Sequence, residues 1–257
     1  MTSERTELAA NLARVRERID RAASRSARHP EDITLIAVSK TKSAAQIRAL
    51  YDAGVRHFGE NRIQEREAKF GHLSDLDATW HMIGHLQSNK SAKAVRLFDT
   101  VDSLDSVALA ERLDRGKKDF NTEVTEGSEK NREERKGSAA NPTAPLRVLI
   151  EVKLDPGESK SGIRAEDLAL LVHAVLPLPH LNLRGLMGVP PYFDDAEQAR
   201  PYFRRLRQLR DAIRAETGNH LLPVLSMGMS HDFEVAIEEG ATEIRIGTAL
   251  FGEREKA

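Results

Sequence analysis

The sequence predicts a single (β/α)8 barrel of the TIM type, preceded by one extra amino-terminal helix, and three observations predict it. The chain has 257 residues, enough for one substantial core and a common size for such a barrel. Eight apolar, β-branched runs alternate with seven amphipathic segments along almost the whole length. No Gly-x-Gly-x-x-Gly turn follows the first run, which weighs against an open, doubly wound sheet. Residues 1–257 are therefore read as one domain.

The elements follow in order. Leu8, Leu12, Val15 and Ile19 recur at helical spacing among charged residues, so 4–27 is expected to be an amphipathic helix rather than a signal or transit peptide. Strands are expected at 33–39, 56–60, 79–84, 98–102, 147–153, 182–189, 223–227 and 243–247. Helices are expected at 43–53, 61–70, 88–96, 105–114, 165–176, 195–217 and 230–239. One stretch breaks the rhythm. Residues 116–145 are charged and polar, with Phe120 and Val124 as the sizeable apolar residues, which predicts a flexible insertion dispensable for folding.

Composition excludes several classes. The 39 basic and 40 acidic residues leave a net charge of −1, so no global field recruits nucleic acid or an acidic membrane. The absence of cysteine excludes disulfides, thiolate catalysis and zinc–thiolate sites. No apolar stretch approaches the ~18 residues of a membrane span. A cytoplasmic protein is the expectation.

The chemistry is expected at the carboxyl ends of the strands, where barrels of this kind place their reacting groups. Lys40 ends the run Ile33-Thr34-Leu35-Ile36-Ala37-Val38-Ser39-Lys40, and a lysine there is either solvated or used. Asn61 follows the second strand and His85 the third; Met187 ends the sixth. Ser226-Met227-Gly228-Met229-Ser230 follows the seventh, and Arg245 and Gly247-Thr248 close the eighth. Phosphate asks for backbone N–H donors, small side chains and a helix amino terminus, and Ser230 reads as the N-cap of the next helix. Lysine, arginine and small-residue turns on one rim suit a phosphorylated cofactor that carries an aldehyde. Two motifs fail. Gly157 to Gly162 has P-loop glycine spacing but is followed by Ile163-Arg164, and His81 and His85 lie on a strand rather than one helical face, so no metal site is expected. Gly-x-Ser-x-Gly is absent, and no catalytic triad stands out.

Several segments together resemble one family. They are Leu35-Ile36-Ala37-Val38-Ser39-Lys40-Thr41-Lys42, His57-Phe58-Gly59-Glu60-Asn61, the run from Trp80 to Lys90, Ser159-Lys160-Ser161-Gly162, Arg184-Gly185-Leu186-Met187, Ser226 to Ser230, and Glu243 to Gly252. In this order they are similar to the pyridoxal phosphate homeostasis proteins, which resemble the barrel domain of bacterial alanine racemases. The resemblance implies a monomer that holds pyridoxal 5′-phosphate as a Schiff base on Lys40, without robust turnover and with no catalytic residue. Asn61, His85, Met187, Ser226, Ser230, Arg245, Gly247 and Thr248 are then the remaining cofactor-binding residues, with Arg245 facing the pyridine nitrogen. Apo-enzymes that use pyridoxal phosphate are the candidate recipients. The alternative is a pyridoxal-phosphate-dependent amino-acid racemase. A cofactor-free Schiff-base lyase would need a carboxylate near the lysine at mid-strand depth, and the sequence offers no clear one.

Overall fold

The computed structural model describes residues 3–126, 143–155, 161–217 and 221–252. Eight parallel strands close into a barrel in chain order. They are β1 (Thr34–Val38), β2 (His57–Glu60), β3 (Thr79–Met82), β4 (Thr100–Leu104), β5 (Leu146–Val152), β6 (Leu181–Gly188), β7 (Val224–Ser226) and β8 (Glu243–Ile246). The barrel closes where β8 pairs with β1, with Ile36 opposite Arg245 and Ala37 opposite Ile246. The helices are α1 (Ser3–Arg25), α2 (Ala44–Asp52), α3 (Ile63–Leu73), α4 (Ser91–Leu97), α5 (Val107–Glu126), α6 (Leu168–Val175), α7 (Arg200–Thr217), α8 (Phe233–Glu238) and α9 (Thr248–Phe251). The barrel expected from the alternating pattern is the one observed. Among the described residues, no helix is long and apolar enough to cross a membrane.

Alternation along each strand divides the side chains between two buried zones. Leu35, Ala37, Phe58, Trp80, Val101, Val148, Ile150, Leu225, Ile244 and Ile246 pack outward against the helices, in one continuous apolar core. The residues between them point into the barrel. Leu149, Met187 and Val224 form a small apolar cluster there, beside the charged Arg147, Glu243 and Arg245. The extra helix α1 buries Leu8, Leu12, Val15, Ile19, Ala22 and Ala23. It is tied down by Asn11, whose Nδ2 donates to the Leu250 carbonyl at 2.8 Å, and by the Arg18–Glu234 ion pair at 2.9 Å.

The expectation for 116–145 is corrected over its first part. Residues 116–126 are not a loop but the second half of α5, with Phe120 and Val124 buried. The apolar stripe Leu109, Leu113, Phe120, Val124 continues at helical spacing, but Lys117 stands in it and hides it. That lysine is 2 % exposed and places its ammonium 5.3 Å from the centre of the Phe120 ring. Gly116 lets α4 come close, since a Cβ there would lie 3.6 Å from the Ala92 Cα. Residues 127–142 lie outside the described residues, as do 156–160 of the failed P-loop motif. Replacing all of 116–145 with a Gly/Ser linker is therefore expected to destabilise the barrel, since truncating one buried aromatic alone costs ~3–5 kcal/mol. A linker that replaces only 127–142 should leave the urea midpoint near that of the parent; equal midpoints for both variants would show that the α5 contacts contribute little.

Candidate functional site

Lys40 emerges half-buried one residue beyond the fully buried Ser39. Ser39 is fixed by three groups. Its N–H donates to the Gly59 carbonyl at 2.9 Å, its hydroxyl to Glu60 Oε1 at 2.7 Å, and its carbonyl accepts from Lys69 Nζ at 2.9 Å. Glu60 is itself fully buried, which raises its carboxyl pKa, while the Lys69 ammonium 2.8 Å away works in the opposite direction. On the other side of Lys40, Thr41 is held at φ 64°, a left-handed conformation that β-branched residues avoid. Its N–H donates to Glu65 Oε2 at 3.2 Å. The backbone on both sides of Lys40 is thus pinned, and strain of this kind concentrates at functional positions.

Arg245 lies in the barrel mouth on the inward face of β8. It is 4 % exposed, with NH1 donating to Ser226 Oγ at 2.8 Å and NH2 to the Gly188 carbonyl at 3.0 Å. Burial lowers its pKa, and the carboxylates of Asp102, Glu151, Asp232 and Glu243 oppose that and keep it charged. Glu151 is the reciprocal case. Burial pushes its carboxyl up to about 7, although the Arg245 guanidinium pulls it down.

The loop after β7 turns back through Gly228 at φ 94°, where a Cβ would come within 2.6 Å of the Ala236 Cβ. Ser230 is not the N-cap of the helix that follows, as the sequence had implied. That helix begins at Phe233, because Asp232 Oδ1 accepts from the Met229 N–H at 2.7 Å and makes the turn first. The Ser230 hydroxyl instead reaches across to the loop after β8. It accepts from the N–H groups of Gly247 and Ala249 at 3.3 and 3.2 Å. Two backbone donors converging on one oxygen are the arrangement that a phosphate oxygen uses, so this corner fits a phosphate.

The predicted site residues fall into two neighbouring groups. Met187, Ser226, Ser230, Arg245, Gly247, Thr248 and Lys40 follow one another along the arc β6–β7–β8–β1, with Met187 opposite Ser226 in the register and Gly247 beside Val38. Asn61 and His85 lie on the next arc and line a separate cavity of about 730 Å³. Gly84 brings their loops together, since a Cβ there would lie 2.3 Å from the Asn61 carbonyl oxygen. His85 is exposed, with Nδ1 3.3 Å from Asp105 Oδ2.

Sequence reasoning missed a polar network below the mouth. His57 Nδ1 and His81 Nε2 are 3.0 Å apart, His81 Nδ1 and Asp102 Oδ2 2.9 Å, and the Thr100 hydroxyl donates to Asp102 at 2.5 Å. Burial, then His81 and Arg147, lower the His57 pKa to about 4, so that ring is neutral. Asp102 is pushed upward by burial, but His81 and Thr100 outweigh this and hold its carboxyl below the usual range. His81, Asp102 and Glu243 place ligand atoms within 4.8 Å of one another. Arg147 donates to Glu243 Oε1 beside this group, and Glu243 Oε2 is buried without a hydrogen-bond partner among the described residues. The available signal was the polar side chains inside short buried strands.

Residues 10–255 match the family described as "Alanine racemase, N-terminal domain". The chain is 43% identical over 244 residues to the pyridoxal phosphate homeostasis protein of Aquifex aeolicus, covering 95% of this chain and 97% of that one. PipY of Synechococcus elongatus PCC7942, solved with PLP bound, is 40% identical with a TM-score of 0.73, covering 91% of this chain and 100% of PipY. An alanine racemase from Clostridium difficile shares the fold at 13% identity and a TM-score of 0.70, covering 98% of this chain but 58% of the racemase. The chain belongs to the pyridoxal phosphate homeostasis proteins, within the alanine racemase N-terminal domain family.

Proposed function

We propose that this protein binds pyridoxal 5′-phosphate on Lys40 and serves in cofactor homeostasis, as a cytoplasmic monomer that passes the cofactor to apo-enzymes without turnover of its own. The observation that carries the reading is the arc in which a pinned Lys40, a buried Arg245 and the convergent amides of Gly247 and Ala249 stand side by side. When bound, the cofactor supplies an aldehyde for a lysine amine and an electron-withdrawing ring. Lys40 would provide the amine, its reach set by the clamped Ser39 and Thr41. Ser226, Ser230, Gly247 and Thr248 would hold the phosphate, and Met187 would add an apolar contact to the cofactor. Asn61 and His85 would close the side toward the neighbouring cavity. Arg245, hydrogen-bonded and always charged, would keep a facing ring nitrogen unprotonated, which suits storage better than carbanion chemistry.

Borohydride reduction of the loaded protein followed by peptide mapping tests the assignment. The mass should appear on Lys40, and a reproducible label on Lys42 instead would overturn it. Thr248→Ala and Ser230→Ala should each weaken cofactor affinity by about 10- to 100-fold, the range for one hydrogen bond to a charged partner. Unchanged affinity in both would move the phosphate elsewhere. The loaded protein should also exchange the Cα proton of L-alanine in deuterated water far more slowly than ~1 s⁻¹, the low end of ordinary turnover; exchange with inversion at that rate would favour the racemase.

A further inference from the structure

The 730 Å³ cavity on the β1–β3 side of the mouth is large enough for a small organic ligand, and its lining is strongly one-sided in charge. Lys42, Arg62, Lys69 and Lys90 line it, against one carboxylate, Glu65. Glu65 is engaged with the Thr41 N–H, and Lys69 with Glu60 and Ser39. Arg62 and Lys90 make no ion pair with any described carboxylate, and the Lys42 ammonium lies 5.7 Å from the centre of the Phe251 ring. Cations that outnumber the carboxylates around a concave space raise the local concentration of anions. Arg62 also stands at the start of α3 without capping it through its side chain, so the first turn, Ile63 to Glu65, opens into the same cavity. Ile63, Met82 and Leu86, each 3 % exposed or less, give the lining an apolar part.

We propose that this cavity is a second anion site, beside but distinct from the Lys40 site, that takes a phosphate monoester bearing a small apolar ring or chain. Guanidinium and ammonium groups match the phosphate oxygens, Arg62 through paired N–H donors, and the apolar lining covers the organic part. Thr41 and Lys42 connect the cavity directly to Lys40, so a phosphorylated molecule held there waits next to the attachment point. The inference rests on the cavity itself and goes beyond the proposed cofactor role.

The test is calorimetric titration of the borohydride-reduced, cofactor-loaded protein, in which the Lys40 site is filled, with phenyl phosphate and with inorganic phosphate at low salt. One saturable equivalent of phenyl phosphate is expected, weakened at least ~10-fold in an Arg62→Ala/Lys90→Ala double variant. Because neither side chain has a hydrogen-bond partner among the described residues, that variant should keep the parent's melting temperature. Inorganic phosphate that binds as well as phenyl phosphate would assign recognition to the phosphate alone; weaker binding would add the apolar contacts; both support the site. Absence of saturable binding, undiminished binding by the double variant, or equally tight binding of benzoate would overturn it. If Lys40 takes no label, the same titration on Lys40→Ala decides the question independently.

Discussion

Replacing Lys40 with alanine should abolish the imine absorbance band and all borohydride-fixed cofactor, while the melting temperature stays within a few degrees of the parent. The two halves of this result have different physical origins. Covalent retention depends on one amine, and neither neighbouring lysine is placed to replace it: the Lys69 ammonium is held by Glu60 and the Ser39 carbonyl, and Lys42 lies against Phe251. Stability is insensitive because Lys40 is half-buried at the mouth and outside the apolar core. Losing a polar contact of a side chain at the rim usually costs no more than ~1 kcal/mol. The clamps on Ser39 and Thr41 involve backbone atoms and the side chains of Ser39, Glu60, Glu65 and Lys69, all still present in the variant. Absorbance spectra and thermal melts of the two proteins side by side provide the measurement. A variant that retains the band would move the attachment to another lysine, and one that fails to melt cooperatively would make Lys40 part of the fold.

The barrel was legible because its strands are short apolar runs separated by helices of regular spacing, and the observed strands differ from the expected ones by a residue or two at their ends. The position of the candidate residues on one rim was legible for a related reason: in a parallel barrel the carboxyl ends of the strands follow from chain direction alone. Ser230 shows the limit. Its hydroxyl serves the loop after β8, 17 residues on, and nothing local distinguishes that from a cap on its own helix. The network of His57, His81, Asp102, Arg147 and Glu243 was hidden because both faces of these strands are buried, so alternation does not say which face is inward. Glu151 was missed for the same reason. Lys117 hid the second half of α5 by occupying an apolar position through its aliphatic stem.

Replacing Arg245 with methionine should destabilise the cofactor-free protein by about 3–5 kcal/mol at pH 8, the cost of stranding buried charge, and by much less near pH 5.5. Arg245 is buried and interacts with the carboxylates of Asp102, Glu151, Asp232 and Glu243, whose charge it offsets together with Arg147, the partner of Glu243. Of these, Glu151 sets the pH dependence. Its pKa in the folded protein is about 7, above the ordinary 4.5, so the folded state binds more protons than the unfolded state between those values. Stability therefore falls as pH rises through that window, by roughly 3 kcal/mol at most for a shift of this size. Without Arg245 the Glu151 carboxyl loses the guanidinium that lowers it, its pKa climbs further, and the decline extends to higher pH. Lowering the pH protonates Glu151 and removes that part of the penalty. Urea unfolding of the parent, Arg245→Met, Glu151→Gln and the double variant at pH 5.5 and 8 separates the contributions. Glu151→Gln should raise stability at pH 8 and flatten the profile, and in the double variant it should recover much of the Arg245→Met loss. A deficit that is equal at both pH values and indifferent to Glu151→Gln would mean that Arg245 acts through its hydrogen bonds to Ser226 and Gly188. Its charge would then be free to serve a bound ring rather than the fold.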